Sequence, residues 1–416
     1  MKNELFYKGS FGIERETLRV DRNGRLARTP HPFTDSAITR DFCENQIELV
    51  TPVCSSVSEA VEELAKLDRT VRREISKKGE RLWMYSNPPY IQDESEIPIA
   101  QFSGEQKGKT DYRMKLQKRY GKRLMLFSGV HFNFSFSDEY LHSICGTADF
   151  EKFKNDFYLR LYKQACMHSW LILLLTASSP VYDKSFDSDG ARGSVRSAYS
   201  SMRSSQRGYW NSFVPILDCT DISSFTSSIQ SYVDSGKLFD QCELYLPVRL
   251  KPKGENTLDN FRSGVSHIEL RMFDLDPKQP LGVNEKDLEF AHLLLMYLST
   301  LPDLEFTEKL QRSAVKNHQS AALANLIGVD IDAVPIIKKA EQLIDDMKWF
   351  YSDDEHALEL LEHQRCKLYH RPCMQITSKD IYQNAKEGDN IVRASRILCK
   401  RTHRYPQTAA GILFPQ

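Results

Sequence analysis

Between Phe127 and Ser137 the chain reads FSGVHFNFSFS, and Val130, Phe132, Phe134 and Phe136 alternate with His131, Asn133, Ser135 and Ser137. Successive side chains on a strand point to opposite faces, so this segment predicts a sheet with one core face and one polar face. Phe11–Val20 (FGIERETLRV) and Gln46–Val50 read as strands, as do Cys242–Leu250 and Ser266–Phe273. Ser56 opens a helix as a capping box with Glu59. Its apolar stripe is Val57, Ala60, Val61, Leu64, Leu67, Val71 and Ile75, its charged residues are expected on the other side, and Gly79 closes it. Asp149–Thr176 reads as a long helix ending before Ser178-Ser179-Pro180, and Asp183–Gln206 as a long loop rich in Ser, Gly, Asp and Arg.

From Asn284 onward the pattern turns helical, with candidates at Leu288–Leu301, Glu305–Ile327, Val334–Phe350 and Glu355–Leu368. Strands crowd the first two thirds and do not alternate with helices in βαβ order. That predicts an α+β class with an antiparallel or mixed sheet. No internal repeat or low-complexity linker divides the chain. One elaborated domain over residues 1–416 is expected, its C-terminal third mostly helical.

Charge and cysteine content remove several function classes. Lys plus Arg equals Asp plus Glu, 56 against 56, which leaves no electrostatic footprint for nucleic acid. The longest apolar run, Trp170 to Leu175, is far too short to span a bilayer, and no basic amphipathic stretch argues for a membrane surface. The opening MKNELFYKGS lacks the apolar region of a secretory signal. Nine scattered cysteines suggest reduced thiols in a cytoplasm rather than a disulfide framework. Nothing in the pattern signals an oligomer, and a monomer is the default expectation.

Glu14 and Glu16, two apart on the first strand, share a face with their side chains roughly 7 Å apart. Like charges that close favour neutral forms unless a cation sits beside them. A solvated face with Arg15 and Arg19 turned the other way is the plain alternative. The other strands repeat the arrangement: Glu48 with Asp41 just upstream, His131 with Asn133, and Glu269 with Arg271 opposite Ile268, Leu270 and Met272. If one sheet carries all four segments, these groups converge. An oxygen-rich set with one imidazole suits Mg²⁺ or Mn²⁺, and several such ions commonly serve nucleotide phosphates. Arg271 beside Glu269 is then placed to meet a phosphoryl group or a carboxylate in fork geometry. The residues therefore point to a metal-dependent phosphoryl-transfer site on a concave sheet.

Two other motifs carry less. GEQKGKT, Gly104 to Thr110, has three residues between its glycines where a phosphate-binding P-loop has four, and no buried strand leads into it. A solvated basic loop that closes over substrate is the better reading. Cys366, His370 and Cys373 have helical spacing, but Pro372 interrupts it and no fourth zinc ligand is evident.

Taken together, GIERETLRV, DFCENQIELVTP, RYG followed by SGVHFNFS, ELYLPVR, and IELRMFDLDPKQPLGV resemble, in order, the segments of bacterial glutamate–cysteine ligase (γ-glutamylcysteine synthetase). The resemblance covers roughly Phe11 to Val283 and weakens beyond it. It implies the glutamine synthetase-like fold, a curved and mainly antiparallel sheet forming a funnel wrapped by helices. The implied reaction joins the γ-carboxyl of L-glutamate to the amine of L-cysteine with ATP, through γ-glutamyl phosphate, as the first step of glutathione biosynthesis. It further implies that Glu16, Asp41 and Glu48 hold one metal ion and that Glu14, His131 and Glu269 hold a second, with a third near the triphosphate. Arg271 resembles the arginine that meets the transferred phosphoryl group. Phe42, Tyr112, Leu116, Asn133, Tyr209 and Tyr245 match positions around the cysteine side chain, and Arg113 and Arg203 match residues for substrate carboxylates.

An acyl phosphate must be shielded from water, so a lid is expected, with Gly104–Thr110 and Asp183–Gln206 as candidates. The run of serines and arginines before Tyr209 departs from the family pattern, and a paralogue that γ-glutamylates another small amine is the nearest alternative. A non-catalytic metal- or nucleotide-binding protein on the same scaffold is a more distant one. No second ligase domain is recognisable, so the fused form that also makes glutathione is not expected.

Overall fold

The computed structural model describes residues 4–381. The expected domain over 1–416 extends past them at both ends. In chain order the elements are α1 (Glu4–Tyr7), β1 (Gly9–Val20), β2 (Ile38–Arg40), β3 (Gln46–Val50), α2 (Val57–Ser76), β4 (Arg81–Trp83), α3 (Lys107–Tyr120) and β5 (Gly129–Phe136). There follow α4 (Asp138–Cys145), α5 (Phe150–Thr176), β6 (Val181–Asp183), β7 (Ser194–Arg196), α6 (Ile222–Asp234), β8 (Val248–Pro252) and β9 (Val265–Asp274). The remainder is α7 (Glu285–Ser299), α8 (Glu308–Ala321), β10 (Asp330–Ile331), β11 (Val334–Pro335), α9 (Ile336–Phe350), α10 (Glu355–Tyr369) and α11 (Pro372–Gln375).

One antiparallel sheet runs β2-β3-β1-β5-β9-β8, with β4 paired to the far end of β1. Its apolar face carries Ile13, Val130, Phe132, Phe134, Ile268 and Leu270, all buried. Helix α5 packs on the β8–β9 side and α2 on the β1–β3–β4 side, with α7, α8 and α10 behind them. Each buried Phe on β5 contributes about 1.5–3 kcal/mol relative to an exposed one, and there Phe11 packs edge to ring on His292 and at a tilt on Phe134. Helix α5 starts where the Asp149 carboxylate accepts from Lys152 N at 2.8 Å. Its Trp170–Leu175 run is buried on all sides, so a run too short for a membrane serves as the central core helix. Among the described residues no helix is long and apolar enough to cross a membrane.

Several expectations are corrected. The charged side of α2 is not all outward: Asp68 and Arg72 are buried beneath β1, where Asp68 pairs with Arg15 at 2.7 Å and with Arg72 at 2.6 Å. Ser56 caps α2 through Glu59 N as expected, but Glu59 returns to Ser55 rather than Ser56. Of the strand predicted at 242–250 only Val248–Leu250 joins the sheet, as the start of β8. Side chains serve the preceding backbone instead: Asp240 accepts from Cys242 N, Asn211 from Tyr245 N, and Arg249 donates to the carbonyls of Cys242 and Leu244.

Residues 104–110 are not a loop but the opening of α3 and the 3₁₀ turn before it, and only Leu116 of α3 is fully buried. Asp183–Gln206 is the long connection expected, mostly turns and bends between short elements. It makes the β6–β7 ribbon and then a turn fastened by Asp274, which accepts from Ser178 N, Ser179 Oγ and Ser201 Oγ. The helix expected to Ile327 ends at Ala321, because the backbone beyond it pairs with this turn through Ser200 N and Ala324 N.

Candidate functional site

The sheet register assembles the polar face. Glu14 lies opposite His131, Glu16 opposite Glu48, and Asn133 opposite Glu269. Above this face is a cavity of about 540 Å³, within the range of small-ligand sites. Glu14, Glu16, Asp41, Glu48, His131, Glu269 and Arg271 line it, together with Phe42, Tyr112, Arg113, Leu116, Tyr209 and Tyr245.

His131 is the meeting point. Its Nδ1 lies 3.2 Å from Glu14 Oε2 and 3.6 Å from Glu269 Oε1, and its Nε2 lies 3.6 Å from Glu16 Oε1. Burial, reinforced by Arg271, lowers its pKa to about 4, so at neutral pH the contact with Glu14 is a hydrogen bond of a neutral imidazole and not an ion pair. Among the described residues, Glu14, His131 and Glu269 form the one group whose ligand atoms all lie within 4.8 Å of one another. Glu16, Asp41 and Glu48 line the same cavity without closing to that distance. Cys366, His370 and Cys373 do not form such a group, and Cys366 is exposed while Cys373 is buried.

The acids fall into two electrostatic sets. Burial raises Glu269, but Lys251, Arg271 and His131 together hold it well below the usual carboxylate range. Burial and Glu269 also push Glu14 up, and His131 and Lys251 outweigh them, leaving it lowered. Glu16 goes the other way: burial and then Asp41 raise it to about 8. Burial raises Asp41 despite Arg113 and Arg271, and burial with Asp41, Glu14 and Glu16 raises Glu48 well above its ordinary value. Glu16, Asp41 and Glu48 are therefore carboxylates short of positive charge. Together with Glu14, His131 and Glu269 they make a donor set of hard oxygens and one imidazole, which fits Mg²⁺ or Mn²⁺.

The remaining predicted residues are distributed unevenly. The rings of Tyr209 and Tyr245 lie 4.1 Å apart between centroids, tilted by 40°, and with Phe42, Tyr112 and Leu116 form a mostly aromatic wall. Arg113 lines the cavity but spends its donors on the carbonyls of Arg40, Asp41 and Lys109. Asn133 donates to Glu14 Oε1 at 3.1 Å and is not among the lining residues. Arg203 is also outside the cavity wall. It sits behind His131, donating to the carbonyl of Arg271 at 2.6 Å and standing 3.3 Å from His131 Nε2. The space it fills exists because residue 129 is glycine: a Cβ there would lie 2.5 Å from the Arg203 guanidinium carbon.

Reasoning from sequence missed Arg40, Phe102, Lys109, Arg249 and Lys251 on the wall. Arg249 and Lys251 were within reach. They alternate with the buried Val248 and Leu250, and a strand placed at 248–252 shows both cations on the acidic face.

A family model described as "Glutamate-cysteine ligase" matches residues 1–238 and 231–321. The chain is 36% identical over 340 residues to the glutathione biosynthesis bifunctional protein GshAB of Clostridium perfringens, covering 77% of this chain and 43% of that protein. It is 32% identical over 413 residues to the protein of the same name from Listeria monocytogenes, covering 92% and 53%. The chain thus spans about half the length of the curated relatives it matches. A bifunctional glutathione synthetase from Pasteurella multocida superposes with TM-score 0.80 at 24% identity, over 94% of this chain and 53% of that one. Glutamate–cysteine ligase from Francisella tularensis, solved with AMP, gives TM-score 0.77 at 21% identity over 94% of each chain. These structures establish a shared fold.

Proposed function

The chain belongs to the glutamate–cysteine ligase family, and from that premise we propose that it joins the γ-carboxyl of L-glutamate to the amine of L-cysteine at the expense of ATP. The observation that carries the reading is the convergence of Glu14, His131 and Glu269 within 4.8 Å, with Arg271 Nη1 at 3.2 Å from each oxygen of Glu269. A carboxylate is a poor acyl donor because its oxygen leaves badly. The γ-carboxylate of glutamate first attacks the terminal phosphorus of ATP, releasing ADP and forming γ-glutamyl phosphate. The cysteine amine then attacks the acyl carbon, and phosphate leaves. Positioning and charge stabilisation supply most of the catalysis in such transfers.

Glu14, His131 and Glu269 would hold one divalent ion, and Glu16, Asp41 and Glu48 a second. When bound, Mg²⁺ or Mn²⁺ neutralises the triphosphate and the transferring group. The protein's own share is to aim donors and exclude water. Arg271 carries a raised pKa; burial opposes this, and Glu269 and Glu16 outweigh it, so the guanidinium is permanently charged. Among the described residues only its Nη1 is engaged by side chains, which leaves Nε and Nη2 for a phosphoryl oxygen. Phe42, Leu116, Tyr112, Tyr209 and Tyr245 enclose a small, largely apolar space suited to a short thiol-bearing side chain. Helix α3 walls that space with Tyr112 and Arg113, so a lid built on residues 104–110 would move as a helix end and not as a free loop.

ADP release coupled to a reporter, with glutamate and a panel of amines, tests the reading. Cysteine should be the best acceptor, and turnover with cysteine no better than with alanine or a polyamine overturns it.

A further inference from the structure

The ammonium of Lys251 lies 3.5 Å from Glu269 Oε1. Arg271 Nη1 reaches the same oxygen at 3.2 Å, and His131 Nδ1 stands 3.6 Å from it. Glu269 is wholly buried and belongs to the one group with metal-holding geometry among the described residues. One carboxylate oxygen is therefore shared by two cations in the place where a dication would sit.

The neighbouring cations differ in how firmly they are held. Arg249, two residues earlier on β8 and on the same face, is tied to the carbonyls of Leu244 and Cys242. Arg271 grips both oxygens of Glu269. For Lys251, the polar side-chain contact recorded among the described residues is Glu269 alone, at the end of a flexible stem on an edge strand that lines the cavity. Arg40 stands at the opposite edge, on β2, paired with Glu44. A dication sharing Glu269 repels an ammonium on the same oxygen, and Lys251 is the cation free to leave.

We propose that Lys251 is the resident countercharge of Glu269, displaced when a divalent ion is held there, and that the released ammonium binds a phosphate of the nucleotide. The inference rests on the nucleotide-dependent reading above and adds a residue with two successive partners. A lysine suits the role better than arginine, as a compact point charge that binds phosphate without needing a fixed fork.

Two equilibrium measurements on the full chain test it, neither needing turnover. The first is a Mn²⁺ titration by electron paramagnetic resonance without nucleotide. The second is binding of the fluorescent analogue mant-ATP in the presence of Mg²⁺. Lys251→Gln should bind Mn²⁺ about fivefold more tightly than the unsubstituted chain and mant-ATP about tenfold more weakly. A lysine with a merely structural role moves both affinities the same way or neither. Unchanged or weaker Mn²⁺ binding, or unchanged mant-ATP binding, overturns the inference, as does failure of the unsubstituted chain to bind Mn²⁺. Lys251→Met serves if the glutamine variant does not fold. A chain that passes both binding tests yet makes no γ-glutamylcysteine defeats the proposed reaction without touching Lys251.

Discussion

Arg15, the residue between Glu14 and Glu16 on β1, donates from Nη2 to Asp68 Oδ1 at 2.7 Å on the side of the sheet away from the cavity. Its Nη1 also donates to the carbonyl of Leu281 at 3.1 Å. The strand that presents two acids to the site is thus anchored from behind by the arginine separating them. Burial pushes the Asp68 pKa up, but Arg15 and Arg72 outweigh it and hold the carboxylate charged. Removing one partner from a buried ionic cluster leaves uncompensated charge. Asp68→Ala should therefore lose roughly 3–5 kcal/mol of stability. Urea unfolding measures it, and a loss below about 1 kcal/mol would mean that the pair behaves like an exposed one.

Strand alternation made β1, β3, β5 and β9 legible, because one face of each must be apolar and the other must carry whatever the protein uses. It also made the acidic set legible as a set. Pairing was not legible. Glu14 meets His131 across 117 residues of sequence, and no local pattern encodes that register. Asp68 and Arg72 look like surface charges on α2 because their partner is a strand residue that itself looks exposed. Helix α3 was missed for want of an apolar stripe. Its place is set by Leu116 and by Phe102, over which Arg40 and Arg113 stack at 4.4 and 4.8 Å. The resemblance matches Arg203 to a residue for a substrate carboxylate, but its backbone setting is not legible there: the turn that carries it is fastened by Asp274, from a strand that follows it by about seventy residues.

Glu14 and Glu269 repel one another, so a neutral replacement removes repulsion as well as a ligand. Glu14→Gln should leave thermal stability unchanged or slightly raised. Its Mn²⁺ affinity and turnover should fall by more than the ~10–100-fold typical of losing an outer-shell partner of a metal ligand. Glu269→Gln should do the same to binding and turnover, while freeing Arg271 and Lys251 of their shared anion. Wild-type turnover in either folded variant would remove the metal role of that residue.

Gly208 ends the turn that begins at Arg203 and returns the chain to the aromatic wall at Tyr209. Tyr209 N donates to the Arg203 carbonyl at 3.0 Å, and a Cβ on residue 208 would lie 1.9 Å from that carbonyl oxygen and 2.6 Å from that of Met202. Both obstacles are backbone, so the turn must open. Gly208→Ala should cost on the order of 3 kcal/mol or more and pull Tyr209 from its ring contact with Tyr245. At a temperature where the variant is still folded, KM for the amine substrate should rise more than KM for ATP. Equal KM values for both, relative to the unsubstituted chain, would separate the turn from the amine pocket.

His318 is buried, with Ser169 Oγ 3.0 Å from its Nδ1, and burial, helped by Arg203, lowers its pKa to about 3. In the unfolded chain the same imidazole titrates near 6.5. Between these values the unfolded state binds a proton that the folded state refuses. The contribution to stability is therefore complete above about pH 6.5 and is lost as pH falls toward 3, with a slope of at most ~1.4 kcal/mol per pH unit. From pH 6.5 to 5 that amounts to about 2 kcal/mol. Glu16, Asp41 and Glu48 act with the opposite sign, since their raised pKa values make the folded chain bind protons first. Comparing variants cancels that background. His318→Asn, whatever its stability at pH 7, should lose about 2 kcal/mol less than the unsubstituted chain when urea unfolding is repeated at pH 5. Equal losses in the two proteins would show that His318 is protonated in the fold.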